Sequence, residues 1–169
     1  MKYDKNQVHY VTATVIIVKD GKFLIAKRAD WEKAFPGKWT VPGGKMEVLD
    51  YALREKDTKV HWYNVLEDLA KRECLEEVGL EIKDLNYVTS LVYVRSDKIP
   101  SLIISFWAKP KDNFDVKLCS ALTDYRWVSL EEAENYNLIE GIYEELEMLD
   151  KKLKGERMGG WGSNHALLS

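Results

Sequence analysis

The sequence has few cysteines and no long apolar run. Its two cysteines, Cys74 and Cys119, form no CxxC pair. No apolar stretch reaches the length that crosses a bilayer, and no arginine-flanked apolar leader is present. We therefore expect a reduced, cytoplasmic protein that does not enter a membrane.

An excess of positive charge is also absent. The formal net charge of −3, with 31% charged residues, provides no basic surface for binding extended nucleic acid. This charge is compatible with a small anionic ligand, or with one neutralised by a metal ion.

Without internal repeats, the 169 residues suit one domain. We expect that domain at residues 1–155, followed by a flexible or loosely docked tail at 156–169. A homodimer is left open.

Runs rich in β-branched residues predict the strands. Tyr10 to Val18 and Phe23 to Lys27 flank Asp20-Gly21, where a hairpin turn would lie. Further strands are predicted at residues 86–95, 101–108 and 125–128, and a loop after the hairpin leads to the short run 38–41 just before the glycines. The runs 86–95 and 101–108 are joined by a polar turn that ends at Pro100.

Capping patterns predict the helices. Asn64 with Glu67 resembles a capping box at the start of a helix that runs to about Val78, and Gly79 suits the left-handed residue that ends many helices. Ser129 and Glu132 form another capping box. It precedes an amphipathic segment that reaches Gly155 and has apolar residues at helical spacing: Leu138, Ile142, Leu146, Leu149 and Leu153. This interleaving, without a regular βαβ repeat, favours an α/β (α+β) fold with a mixed sheet between helices.

Three carboxylates share one face of the first helix. Glu73, Glu76 and Glu77 stand at positions i, i+3 and i+4, where like charges repel by roughly 0.2 to 0.5 kcal/mol per pair. Arg72 or a divalent cation would compensate this repulsion, whereas the plainer interpretation is a solvated acidic face. The upstream Gly43-Gly44 turn favours the cation, because glycine lets the backbone approach a ligand closely and Mg2+ takes oxygen ligands.

Gly44 and the run Arg72-Glu73-Cys74-Leu75-Glu76-Glu77-Val78-Gly79-Leu80 resemble the signature of the Nudix hydrolases, G-x5-E-x7-R-E-U-x-E-E-x-G-U, where U is aliphatic. Cys74 stands at an aliphatic position of this signature. Trp39 ahead of the glycines, and the segment that begins at Trp127, also resemble the family layout, so the resemblance covers roughly residues 9 to 150. It implies an α/β/α sandwich.

The resemblance implies a role for each matching residue. Glu73, Glu76 and Glu77 would bind Mg2+ or Mn2+ with the Gly44 carbonyl, and Arg72 would orient a carboxylate. The metal ions would activate water and neutralise a diphosphate that is cleaved between two phosphorus atoms.

The glycine half departs from the signature. Asp50 stands where the family has glutamate, and Arg72 follows it by twenty-two positions instead of eight. An insertion of fourteen residues, about 51–64, explains this spacing, so Asp50, Asn64 or neither replaces the glutamate. The insertion is either a surface excursion packed by its own aromatic residues or a lid. A lid would use Trp62 to stack on a base and Arg54, Lys56 or Lys59 to bind phosphate.

Three residues that do not occupy fixed positions of the signature are further candidates. Arg28, at the end of a strand, is either a phosphate clamp or an ordinary edge charge. Lys45 follows the glycines and is either a substrate ligand or an exposed turn lysine. Asp124 is a candidate metal ligand or general base, because many family members use an acidic residue in that downstream loop.

The resemblance therefore implies an Mg2+-dependent hydrolase that cleaves a pyrophosphate bond in a nucleoside diphosphate linked to another group. We favour a nucleoside triphosphate as substrate, with a monophosphate and pyrophosphate as products. The alternatives are a nucleotide-binding or regulatory module without turnover, and a hydrolase of nucleotide sugars of the ADP-ribose or GDP-mannose type. An isoprenoid diphosphate isomerase would need a catalytic thiol, for which Cys119 has no obvious partner.

Overall fold

The described part of the chain begins with the expected hairpin. The computed structural model describes residues 7–94, 98–112 and 114–156. Strands β1 (Tyr10–Lys19) and β2 (Lys22–Arg28) are antiparallel. Asp20 and Gly21 have φ angles of 50° and 73°, which suit a two-residue turn of type I′. The hairpin prediction is confirmed.

One seven-stranded mixed sheet follows from this hairpin. Its other strands are β3 (Trp39–Thr40), β4 (Gly43–Lys45), β5 (Ile82–Val94), β6 (Pro100–Pro110) and β7 (Leu122–Val128). The order is β3-β2-β1-β6-β5, with β4 paired to β1 and β7 paired to β2. β1 and β6 run parallel. The sequence did not predict β4, which is short and rich in glycine.

The helices are α1 (Leu49–Ala52), α2 (Val65–Val78), α3 (Leu130–Ala133) and α4 (Ile142–Leu153). The Ser129 and Glu132 capping box is confirmed. The helical pattern after it is interrupted, because Leu138 lies between α3 and α4 and bridges to Trp39. The sequence did not predict α1.

Asn64 marks the start of α2, but it caps the helix differently from the prediction. Its side chain makes no capping hydrogen bond, and its φ of 55° places it in the left-handed region. Asparagine tolerates this conformation better than most residues, which suits a chain that turns sharply into a helix. At the other end, Gly79 has the expected left-handed conformation, with a φ of 70°.

Apolar cores lie on both faces of the sheet. Alternate β1 residues, Val15 and Ile17 among them, pack with Leu69, Cys74 and Val78 of α2. The residues between them pack with α4, in a core that includes Ile16, Val18, Phe23, Ile25, Leu146 and Leu149. This two-residue alternation produces the expected α/β/α sandwich.

Within the described ranges, every helix is too short or too polar to cross a bilayer. The predicted tail, residues 156–169, lies outside the described residues except for Glu156.

Candidate active site

Helix α2 holds the three glutamates beside its buried face. Leu69, Cys74 and Val78 are fully buried against the sheet, whereas Glu73 remains 9% exposed. Burial raises the pKa of the Cys74 thiol, and the charges of Glu77 and Glu73 raise it further. Cys74 is therefore a neutral packing residue, as its aliphatic position in the signature suggests.

Strand β4 brings the glycine turn against this helix. The Gly43 N–H donates a hydrogen bond to Glu77 Oε2 over 2.9 Å. A Cβ atom added to Gly44 would overlap the Glu73 carboxylate, and one added to Gly43 would overlap the Ala13 carbonyl oxygen. Only glycine therefore allows backbone and carboxylates to approach this closely.

Arg72 contacts three acidic side chains. Its Nη2 lies 2.8 Å from Glu73 Oε1, and its Nη1 donates to Glu76 Oε2 over 2.7 Å. Its Nε lies 2.8 Å from Asp50 Oδ1, at ion-pair distance but without hydrogen-bond alignment. Burial lowers the pKa of Arg72, but these carboxylates outweigh it and leave the pKa raised. Arg72 thus fixes the carboxylates around it.

Asp50 also holds the loop that follows the glycines. Its Oδ2 accepts a hydrogen bond from the Glu47 N–H over 2.6 Å, while Oδ1 faces Arg72. Its side chain is only 8% exposed. Asn64 is exposed and makes no side-chain capping bond. Of the two candidates to replace the signature glutamate, Asp50 has the position of a loop support.

Negative charge accumulates around Glu77 and Glu73. Burial raises the pKa of Glu77 to about 7, and Glu73 adds to the rise while the Gly43 amide opposes it. Burial also raises the pKa of Glu73, against the opposing charge of Arg72. Removing water from these carboxylates makes a bound cation the natural counter-charge.

Residues 8–149 match the family model for the NUDIX domain. The chain belongs to the Nudix hydrolase family. Nucleoside triphosphatase NudI of Escherichia coli O81 (strain ED1a) is 28% identical over 131 residues, which cover 73% of this chain and 84% of NudI.

Solved Nudix structures share the fold. The MutT NUDIX hydrolase from Burkholderia pseudomallei superposes with a TM-score of 0.65 at 19% identity, covering 83% of this chain and 98% of the other. The NUDIX domain of Shewanella oneidensis NrtR, complexed with ADP ribose, superposes with a TM-score of 0.67 at 16% identity, covering 89% and 94%. Both likenesses establish the fold.

The donor set suits the divalent metal that Nudix hydrolases use. The carboxylates of Glu73 and Glu77 lie directly against the backbone of Gly43 and Gly44. Carboxylate and backbone carbonyl oxygens are the kind of ligand that hard divalent cations take. As placed, no three acidic, histidine or cysteine side chains of the described residues form a metal cluster. Instead, Arg72 pairs with the carboxylates of Glu73 and Glu76, and the Gly43 N–H donates to the carboxylate of Glu77.

Arg28 lies on the same side of the Nudix sheet as Glu77. Its charge lowers the pKa of Glu77, although less than the Gly43 amide does. Its Nε donates to the Ala34 carbonyl over 2.7 Å, and its Nη2 donates to Glu32 over 2.8 Å. Arg28 therefore anchors the loop after β2, and its contact with phosphate stays a prediction.

Lys45 is exposed, with its Nζ 4.9 Å from the centre of the Tyr10 ring. It lies next to Gly44 on β4, opposite Thr12 of β1. The structure thus keeps Lys45 next to the glycine turn, where its predicted substrate contact remains a prediction.

Trp62 packs within the insertion. Its ring centre lies 5.2 Å from that of Tyr51, and its Nε1 donates to the Arg54 carbonyl over 3.2 Å. The Lys56 ammonium lies 5.0 Å from its ring. These contacts fit a surface excursion packed by its own aromatic residues better than a lid that stacks on substrate.

Asp124 lies on the opposite face of the sheet from α2. Asp124 pairs with Lys27 of β2, so the two side chains lie on the same face of the sheet. Lys27 is two residues from Ile25 and therefore shares its face, which packs in the core beside α4. The Asp124 carboxylate pairs with Arg126. The geometry gives no support to Asp124 as metal ligand or base.

Two features of the site were not predicted. Glu32 pairs with Arg28 and raises the pKa of Glu77. The segment 119–121 joins both sides of the site, because the Cys119 N–H donates to the Glu77 carbonyl and the Ala121 carbonyl accepts from Ala29. The i, i+4 spacing of Arg28 and Glu32 was a signal for the first feature; the second depends on tertiary structure.

Proposed function

We propose that this Nudix hydrolase cleaves nucleoside triphosphates to a monophosphate and pyrophosphate, with Mg2+ or Mn2+, in the cytoplasm. One observation carries the proposal: Glu73 and Glu77 lie directly against the Gly43-Gly44 turn, with Arg72 bound to Glu73 and Glu76. The similarity to nucleoside triphosphatase NudI supports the choice of substrate.

Glu73, Glu76 and Glu77, with the Gly44 carbonyl, would hold the metal. When bound, the metal lowers the pKa of water and offsets the charge of the diphosphate. In the proposed hydrolysis, a water oxygen would form a bond to the α-phosphorus and lose a proton to solvent, while the bond from that phosphorus to the bridging oxygen breaks and pyrophosphate leaves with the electron pair.

The surrounding residues keep the carboxylates in position. The Gly43 amide fixes one oxygen of Glu77, and Arg72 fixes Glu73 and Glu76 while Asp50 holds Arg72. Positioning of this kind is the main contribution that a protein makes to phosphoryl transfer, because the reaction needs little covalent chemistry from it. Arg28, on the Glu77 side, is suited to meet a phosphate oxygen.

The test is a panel of nucleoside triphosphates and nucleotide sugars assayed with Mg2+ and with Mn2+, with products identified by chromatography. We expect a monophosphate and pyrophosphate from a triphosphate. Glu77→Gln should lower kcat by about a hundredfold or more, since a metal ligand contributes several kcal/mol to the transition state.

Glu81→Gln is the matched control, because Glu81 is exposed just beyond α2 and pairs with Lys111. It should leave kcat unchanged. Release of orthophosphate as the first product would contradict the proposed bond cleavage. Preferred turnover of a nucleotide sugar would replace the proposed substrate.

A further inference from the structure

Trp31 has an unusual environment for a tryptophan. It is 71% exposed, whereas Trp39, Trp62, Trp107 and Trp127 are partly buried. A large aromatic ring left in water loses the free energy that burial would supply. An exposed ring held beside a ligand site can instead bury its surface against the ligand.

The loop that carries Trp31 is held at several points. The Arg28 side chain binds Glu32 and the Ala34 carbonyl, and the Arg28 N–H donates to the Lys38 carbonyl over 2.8 Å. The Glu32 N–H donates to the Ala29 carbonyl over 3.1 Å, which closes a turn around Trp31. The ring is therefore presented from an ordered turn, at low entropic cost on binding.

Hydrogen bonds also connect this turn to the glutamate helix. The Ala29 N–H donates to the Ala121 carbonyl over 2.8 Å, and the Cys119 N–H donates to the Glu77 carbonyl over 3.0 Å. Trp31 is two positions after Ala29, and the charge of Glu32, the next residue, raises the pKa of Glu77. Trp31 thus directly precedes a residue whose charge acts on Glu77, and its turn is joined by hydrogen bonds to the segment that binds the Glu77 backbone.

We propose that the Trp31 indole stacks on the base of the nucleotide whose phosphates bind at Glu73, Glu76 and Glu77. This inference rests on the proposed function and assigns its base-binding residue. Stacking accepts any base, because every base has a flat π face, and it contributes roughly 1 to 3 kcal/mol per base. Trp62, the aromatic residue predicted for this role, already packs on Tyr51 and Lys56.

The experiment measures binding to the full chain by calorimetry in Mg2+. The probes are the four α,β-methylene nucleoside triphosphates, which cannot be cleaved at that bridge, and inorganic tripolyphosphate, which has no base. Trp31→Ala should weaken binding of the tightest-binding methylene analogue by roughly five- to 150-fold. It should change tripolyphosphate binding by less than twofold, and Trp31→Phe should retain most of the affinity.

Tyr63→Ala is the matched control, because Tyr63 is an exposed aromatic residue, at 56%, on the insertion. It should bind every probe like the wild-type protein. Equal affinities of Trp31→Ala and wild type for the analogues would overturn the inference, as would an equal loss for tripolyphosphate. Analogue binding that depends on Trp31, without hydrolysis of any triphosphate, would overturn the proposed function and leave the Trp31 inference standing.

Discussion

Asp50 Oδ1 lies 2.8 Å from Arg72 Nε, although twenty-two positions separate the two residues in the sequence. The chain between them leaves at α1 and returns at Asn64, and the Arg54 side chain binds the Tyr63 carbonyl where the two ends meet. The insertion is thus looped out of the signature. The Asp50 and Arg72 contact thus joins the loop and the helix of the Nudix site across residues 51–64.

We predict that Asp50→Asn lowers kcat about ten- to a hundredfold with little change in fold, the usual effect of removing a residue that orients a metal ligand. Asparagine keeps the shape of Asp50 but loses the charge that holds Arg72. Steady-state kinetics and circular dichroism measure the two effects. Asp50→Glu should retain most activity and Asn64→Ala all of it. A larger loss in Asn64→Ala than in Asp50→Asn would reverse the assignment.

Replacing residues 55–63 with Gly-Gly-Ser-Gly should leave KM and kcat within about twofold of wild type. Residues 55–63 make hydrogen bonds among themselves: Asp57 accepts from the Tyr63 N–H over 2.8 Å, and Thr58 accepts from the His61 N–H over 3.0 Å. Loops of this kind tolerate changes in length. Enzyme kinetics on the best triphosphate is the measurement. A large rise in KM would restore the lid hypothesis.

The two glycines should respond differently to alanine. In Gly43→Ala the new Cβ would meet backbone of Ala13 and Thr14, so we expect a loss of stability of about 2 kcal/mol or more. In Gly44→Ala its three nearest contacts are all atoms of the Glu73 carboxylate, so activity and Mg2+ affinity should fall more than stability. Urea unfolding and Mg2+ titration of the rate separate the two. Similar losses of stability in both variants would contradict this distinction.

Local patterns predicted much of this fold. Each predicted strand forms, and α2 ends at the predicted residue, because turn chemistry and the spacing of apolar residues act over a few positions. The shared face of Glu73, Glu76 and Glu77 is equally local.

Features that depend on tertiary structure were missed. Strand β4 exists because Gly43 and Gly44 pair with β1, which their strand propensity would not suggest. Glu145 stands among apolar residues of α4 and is 4% exposed, with a hydrogen bond to Ser105, which in turn contacts the Thr14 hydroxyl over 3.0 Å. Those partners come from β6 and β1, so the helix sequence alone could not reveal them.

Glu77 makes the stability of the metal-free protein depend on pH. Burial raises its pKa from 4.5 to about 7, so the folded protein keeps a proton that the unfolded chain releases above about pH 4.5. This contribution is complete below pH 4.5 and is lost as the pH rises through 7, at a cost of about 3 kcal/mol. Urea unfolding in EDTA between pH 5 and 8 measures it.

Glu77→Gln removes the titrating group, so its stability should fall less steeply with pH than that of wild type. Some slope should remain, because the pKa of Glu73 is raised by burial as well. Glu81→Gln, changed outside the site, should follow the wild-type curve. At pH 8, Mg2+ should return much of the lost stability to wild type but not to Glu77→Gln, since a cation favours the ionised carboxylate. Parallel curves for wild type and Glu77→Gln would show that Glu77 titrates like a solvent-exposed glutamate.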